Sequence, residues 1–314
     1  MRRVYVIGAG ATKYGKLPAT GRELVAEAAL DAIHDAGVDP KRIDGAFVAN
    51  AFGMVEKQGH QGPLLMTALG IPDKPATTIE AACASGGSAF REAWINVGSG
   101  AADVFLAAGF EKITQVDTVT ATGYFSYGSD YLCEGGNGAS FPGLYATMAR
   151  AHMAQHGTTE EQLARVAVKN HDNAALNPKA HLPKRITVED VMKSLYVAHP
   201  LKLYDACPFS DGASAVLGAS EEVARALGRM DVVVRGSGRA GSIASLPDRG
   251  DMTSIPAARI AARQAFHQAG LEPSQIDLAE VHDCFTIAEI VATEDLGFFK
   301  PGEGARAVDE GRTA

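Results

Sequence analysis

No Cys-x-x-Cys pair and no cluster of cysteine with histidine occurs in this chain. Its four cysteines, Cys83, Cys133, Cys207 and Cys284, stand far apart. That spacing excludes a zinc ribbon, gives no sign of a secreted disulfide scaffold, and leaves no metal expected. Long apolar runs are missing as well, so no membrane span is expected. Positive charge is in deficit: a formal net charge of -8 argues against nucleic acid and anionic membrane surfaces as general partners. The start, Met1-Arg2-Arg3-Val4-Tyr5-Val6-Ile7-Gly8, enters an expected strand without the shape of a signal peptide. The end, Gly311-Arg312-Thr313-Ala314, carries no peroxisomal tripeptide. A reducing cytoplasm is the expected location.

What the chain does have is room and small residues. Its 314 residues can bury a large core and suggest two domains or two fused halves. Glycine is abundant at 34 residues, and with frequent alanine it suits tightly packed α/β layers. The chain also states one pattern twice. Residues 23–48 and 255–281 align with Gly37 on Gly270, matching Ala28, Ala29, Ala32, His34, Ala36, Pro40, Ile43 and Asp44 to Ala261, Ala262, Ala265, His267, Ala269, Pro273, Ile276 and Asp277. Each copy predicts an alanine-rich helix, a glycine stop, a proline turn and an apolar strand. Each also follows a strand ending in glycines, residues 4–10 and 232–238. Two similar α/β halves are therefore expected, residues 1–228 and 229–314.

Between the repeats, residues 115–204 form a different region, rich in His, Tyr, Asn and Pro, expected as an inserted loop domain. It carries two helical patterns, residues 143–156 and 159–173, the second opening on a capping box at Thr159 and Gln162. Such an insertion is either a structural excursion or a ligand-gripping lid. The stretch from Ser210 to Gly218 reads as a turn and a buried strand returning to the first half.

Two stretches could carry chemistry. Glu80-Ala81-Ala82-Cys83-Ala84-Ser85-Gly86-Gly87-Ser88 puts one thiol between an apolar extended run and a helix. There the helix dipole favours thiolate, and small neighbours leave space for an acyl group and an oxyanion. The plainer alternative is a packed cysteine. The second stretch is His282-Asp283-Cys284-Phe285, at the end of an expected strand, residues 277–281. It gathers an imidazole, a carboxylate and a thiol, where the first-half counterpart, Ala49-Asn50-Ala51-Phe52, has none. Gly8-Ala9-Gly10 lacks the following helix and third glycine of a dinucleotide site. Cys133 and Cys207 have no adjacent base and are expected to be buried.

These motifs resemble those of the thiolases, specifically the sterol-carrier-protein-type, lipid-transfer-like branch. The resemblance runs from Val4 to the last residues. It rests on EAACASGGSAF around Cys83, ARAHMAQHGTTEEQLARVAVKNHDNAALNP over residues 149–178, SDGASA from Ser210 and EVHDCF from Glu280. It implies a layered αβαβα fold of two βαβαβαββ halves, the first carrying the inserted loop domain and the second incomplete in this chain. It implies an acyltransferase that makes or cleaves 3-ketoacyl-CoA through an acyl-cysteine, of the acetyl-CoA acetyltransferase or 3-ketoacyl-CoA thiolase kind. Coenzyme A thioesters would be substrates, with no further cofactor. By the same resemblance Cys83 is the acylated nucleophile, Cys284 the acid/base, and His282 a donor to the thioester oxygen, the two sulfurs meeting across a shared crevice. The contacts to coenzyme A are illegible, Ser237 and its glycine neighbours being only guesses. The family's Gly-His-Pro segment, whose histidine activates the nucleophile, does not occur here. Little turnover is therefore expected of these 314 residues tested alone. A homodimer is implied. The alternatives are a retro-aldol lyase working with a small partner subunit, and a non-catalytic acyl-CoA-binding subunit.

Overall fold

The computed structural model describes residues 1–314. Along the chain run helices α1 (Gly21–Ala36), α2 (Gln61–Ala68), α3 (Ser85–Ser99), α4 (Thr118–Phe125), α5 (Phe141–His156), α6 (Glu160–Ala174), α7 (Val188–Lys193), α8 (Glu221–Ala226), α9 (Pro256–Ala269), α10 (Thr286–Asp295) and α11 (Gly304–Asp309). The strands are β1 (Val4–Ala11), β2 (Gly45–Ala49), β3 (Ala76–Ile79), β4 (Val104–Glu111), β5 (Tyr196–Ala198), β6 (Leu201–Lys202), β7 (Gly212–Ser220) and β8 (Val232–Val233). They gather into two compact units, one of residues 1–117 and 209–234, the other of residues 118–208 and 235–314.

The first unit is built on a mixed sheet in the order β3-β2-β4-β7-β1-β8. Strand β2 pairs in parallel with both β3 and β4, while β7 runs antiparallel between β4 and β1. Alternation along the strands decides which face packs where. Ile7, Leu106, Ala108 and Phe110 join Leu24, Val25 and Ala28 of α1 in one core, whereas Val4, Phe105 and Ala107 join Ala93, Trp94 and Val97 of α3 in another. Helices α1 and α3 therefore cover opposite faces. Helix α1 stops at Gly37 in the left-handed region, as its sequence pattern predicts, and it starts at a capping box of Thr20 with Glu23.

Gly8 and Gly10 serve this packing, not a dinucleotide. A Cβ at Gly8 would lie 2.3 Å from the Ala32 carbonyl oxygen, and one at Gly10 2.2 Å from that of Ala28. Bare backbone lets α1 lie against β1. The SDGASA segment supplies a second fastening. Asp211 is fully buried and accepts hydrogen bonds from the backbone N–H of Leu17, Ile113 and Thr114 and from the Thr114 hydroxyl, while the buried Lys112 ammonium pairs with it at 2.6 Å. Its carboxyl is held below the usual range: burial pushes it up, and Lys112 with the Thr114 and Leu17 donors outweighs that.

The second unit is mostly helical, with the short β5–β6 hairpin. Its core joins Ala146 and Ala149 of α5, Leu163 and Val166 of α6, Cys284, Phe285, and Ile287, Ala288, Ile290 and Val291 of α10. Helix α6 opens on the Thr159–Gln162 capping box, as expected from sequence. The second repeat copy keeps its helix, α9, and its stop at Gly270. It keeps the close approach too: a Cβ at Gly236 or Gly238 would lie 2.3 or 1.8 Å from the carbonyl oxygens of Ala265 and Ala261.

The strand expectations in this copy need correction. Of residues 232–238 only Val232–Val233 form a strand, pairing with Tyr5 and Val6, and residues 277–281 form none. An extended stretch becomes a strand only through a ladder of hydrogen bonds to a neighbour. Residues 277–281 have no such ladder, and Leu278 is 80% exposed.

Candidate active site

Cys83 belongs to the first unit, His282 and Cys284 to the second, and each is described within its own. Strand β3 ends at Ile79, and the chain turns through a one-turn 3-10 helix, Ala82–Ala84, directly into α3. Cys83 sits in that turn. The residue before it, Ala82, has φ 47, a left-handed conformation that costs a non-glycine residue roughly 1–2 kcal/mol. Polar bonds hold the strain in place. The Ser85 hydroxyl donates to the Ala82 carbonyl at 2.7 Å and accepts from the Ala81 N–H at 2.8 Å, while the Glu80 carboxylate accepts from the Ala82 N–H at 2.6 Å. Such a turn pushes one side chain outward at a helix mouth. Helix α3 has no side-chain cap, so its first amides are not taken by a capping residue. A Cβ added at Gly86 or Gly87 would meet nothing within 4 Å, which leaves open space over that first turn.

The expected thiolate needs correction. Cys83 reaches solvent, yet its thiol is pushed up: burial by surrounding protein is the largest cause, the nearby Glu111 adds to it, and the residue's own N–H opposes both. Desolvation disfavours the charged sulfur more than the short helix end supports it.

Sequence reasoning missed Glu111. It ends β4, and its carboxylate accepts from the N–H of Ala51 at 2.5 Å, from that of Phe52 at 3.3 Å and from the Asn50 amide at 3.3 Å. Its pKa is raised to about 7, by burial first, against the Ala51 and Phe52 donors, with Glu56 and Glu80 adding negative charge. The only signal in the sequence was a carboxylate closing an otherwise apolar strand.

In the second unit, His282 and Cys284 lie on the loop that leads into α10, with Cys284 buried and His282 reaching solvent. Phe285 anchors this loop, its ring 4.8 Å from that of Tyr145 and 6.5 Å from that of Phe141. The backbone is held from the facing segment: Ala206 bridges Phe285, the Cys207 N–H donates to the Cys284 carbonyl at 3.1 Å, and the Thr286 hydroxyl donates to Asp205 at 2.9 Å. Burial pushes the His282 imidazole down, and the neighbouring Asp283 pulls it up less strongly, so its neutral form is favoured. A neutral imidazole can donate a hydrogen bond to an oxygen that gains charge.

The remaining candidates resolve simply. Cys133 and Cys207 are exposed, against the expectation of burial, and none of the four cysteines is in a disulfide. Both lie on irregular segments, where backbone runs at the surface. The Ser237 N–H is bonded to the Gln268 side chain of α9 at 2.9 Å, so that amide holds helix to loop. No group of three or more His, Cys, Asp or Glu is arranged to hold a metal ion. No helix is long and apolar enough to cross a membrane.

Comparison with known proteins shows the family. The family profile of the thiolase N-terminal domain matches residues 4–222, and that of the thiolase C-terminal domain-like family matches residues 238–314. The chain belongs to the thiolase family, and its chemistry is that of a thiolase-type acyltransferase. It is similar to human sterol carrier protein 2, 30% identical over 99% of this chain and 59% of that protein. An acetyl-CoA acetyltransferase of Methanothermobacter thermautotrophicus is 47% identical over 100% of this chain and 82% of its own length. Among solved structures, an Ltp2-ChsH2(DUF35) aldolase superposes with a TM-score of 0.85 at 27% identity, covering 98% of this chain and 80% of that one.

Proposed function

We propose that the protein is an acetyl-CoA acetyltransferase that makes or cleaves a short 3-ketoacyl-CoA, with Cys83 carrying the acyl group and Cys284 and His282 activating the thioester that accepts it. The observation that carries this reading is the strained, clamped turn presenting Cys83 at an uncapped helix mouth with open space above it. In the first half-reaction the Cys83 sulfur attacks the thioester carbonyl and releases coenzyme A, leaving an acyl-cysteine. In the second, the Cys284 sulfur takes the α-proton of the incoming thioester and His282 donates to its oxygen as enolate charge develops. One such donor is worth about 3 kcal/mol in the transition state. The carbanion then attacks the carbonyl of the acyl-cysteine, the new carbon–carbon bond forming as the carbon–sulfur bond breaks, and Cys83 leaves as thiolate and regains the proton that Cys284 took up.

The raised thiol of Cys83 makes proton removal part of the first step, since little thiolate preforms at neutral pH. A cytoplasmic location agrees with four cysteines outside any disulfide. A homodimer agrees with the outer edge of β3, which no strand of this chain pairs.

A second reading, retro-aldol cleavage with a small partner subunit, is supported by the likeness to the aldolase complex. Isotope exchange separates the two. An acyl-enzyme moves label from free coenzyme A into acetyl-CoA with no second substrate present, and Cys83→Ala abolishes that exchange. The exchange is expected to be slow in these 314 residues alone, and exchange that survives Cys83→Ala refutes the acetyltransferase reading.

A further inference from the structure

The loop bearing His282 and Cys284 has a third polar residue between them, and it faces the other way. Asp283 lines a cavity of about 490 Å³ together with Lys169, Asn170 and Glu289, while neither His282 nor Cys284 lines it. Asn170, on α6, reaches Asp283 from that side. Its one amide nitrogen donates to the Asp283 carboxylate at 2.7 Å and to the Glu289 carboxylate at 2.9 Å. Glu289 lies in the first turn of α10 and is 3% exposed. Its other oxygen lies 2.9 Å from the Lys169 ammonium, an ion-pair contact without a hydrogen-bonding angle. One amide group thus ties the residue before Cys284 to the residue five positions after it.

We propose that Asn170 is a positioning residue: by drawing Asp283 to the α6 side it turns His282 and Cys284 to the opposite side, where the thioester would lie.

The residue type fits the task. A primary amide carries two N–H donors and no charge, so it can satisfy two carboxylates at once. An aspartate there would add a third acid, and an ammonium would form a tight pair with only one of them. The cavity matters as well, because it gives Asp283 room to relocate once its donor is lost. The charged side chains lining the same cavity are Asp283 itself, Glu289 from α10, Lys169 from α6, and Asp277, Glu280 and Arg312. Of these, Asp283 acts on the His282 imidazole. A carboxylate released from Asn170 has that imidazole as its adjacent partner in sequence.

The proposal rests on the reading that His282 and Cys284 serve the substrate, but its test does not require turnover. The Asn170→Leu variant of the full chain keeps the side-chain branching and heavy-atom count and removes both donors. The imidazole titration of His282 is followed by NMR, its signal assigned with His282→Gln. The His282 midpoint is expected to rise in Asn170→Leu, to stay near that of the unaltered protein in Asn170→Gln, which keeps the amide, and to fall back in Asn170→Leu/Asp283→Asn. If Asn170→Leu does not fold, Asn170→Ser, too short to span both carboxylates, is read the same way. An unmoved midpoint in either donor-deficient variant overturns the proposal, and so does a shift that persists in the double variant. In thiolysis assays kcat is expected to fall about tenfold or more with KM unchanged, as for a misplaced reacting group. Failure of the NMR behaviour overturns the positioning alone, whereas label exchange that survives Cys83→Ala refutes the activity reading alone.

Discussion

Replacing Glu111 by Gln removes a negative charge that holds the Cys83 thiol up. The variant is expected to alkylate at Cys83 faster than the unaltered protein above about pH 7, where Glu111 is ionised, with the difference closing below it. Iodoacetamide labelling followed by peptide mass spectrometry reads this directly, and equal rates at every pH contradict it. The same residue sets a slope in stability. Its folded pKa of about 7 lies above the ordinary 4.5, so between those values the folded state holds the proton more tightly than the unfolded one. Stability therefore falls as pH rises through that window, and Glu111→Gln is expected to lack that fall in thermal unfolding curves. Nothing in one sequence marks Glu111 for this role, because its shift comes from burial and from loops folded over it.

At the scale of elements, Asp211 and the repeat glycines give opposite lessons about legibility. SDGASA was readable as a turn and a buried strand, but the sequence did not show that Asp211 gathers donors from residues 97 to 194 positions earlier. Asp211→Asn leaves Lys112 buried without its countercharge, an expected loss of about 3–5 kcal/mol in chemical denaturation. Because the Asp211 carboxyl is depressed, its contribution is complete above the ordinary 3.8 and is lost as pH falls through the folded value. A loss below about 1 kcal/mol would mean that Lys112 finds water or another partner.

The glycines were legible as strand ends ahead of alanine-rich helices, and contact with the helix backbone explains both residue types. Gly238→Ala is expected to force α9 away and cost about 1–3 kcal/mol, whereas Gly86→Ala, whose Cβ meets nothing, is expected to fold as well or gain up to about 1 kcal/mol. Thermal unfolding of the two variants side by side tests this contrast. The second copy's strands were misread for the same physical reason that its helix was not. A helix satisfies its hydrogen bonds within itself, and a strand depends on a neighbour that periodicity does not reveal.

For the whole molecule, the repeated helix with its glycine stop could be found in the sequence because it rests on local pattern. The strain at Ala82, the direction of the Cys83 thiol and the amide clamp of Asn170 could not, because each comes from residues distant in sequence or from backbone angles. The proposed function depends first on one chemical event, the acyl-cysteine at Cys83. The direct measurement is peptide mass spectrometry of the protein after incubation with acetyl-CoA and removal of free thioester. An acetyl group on the peptide containing Cys83, lost on adding coenzyme A and absent from Cys83→Ala, is the predicted result. Acetylation confined to other cysteines, or none at all in the folded protein, would contradict the account.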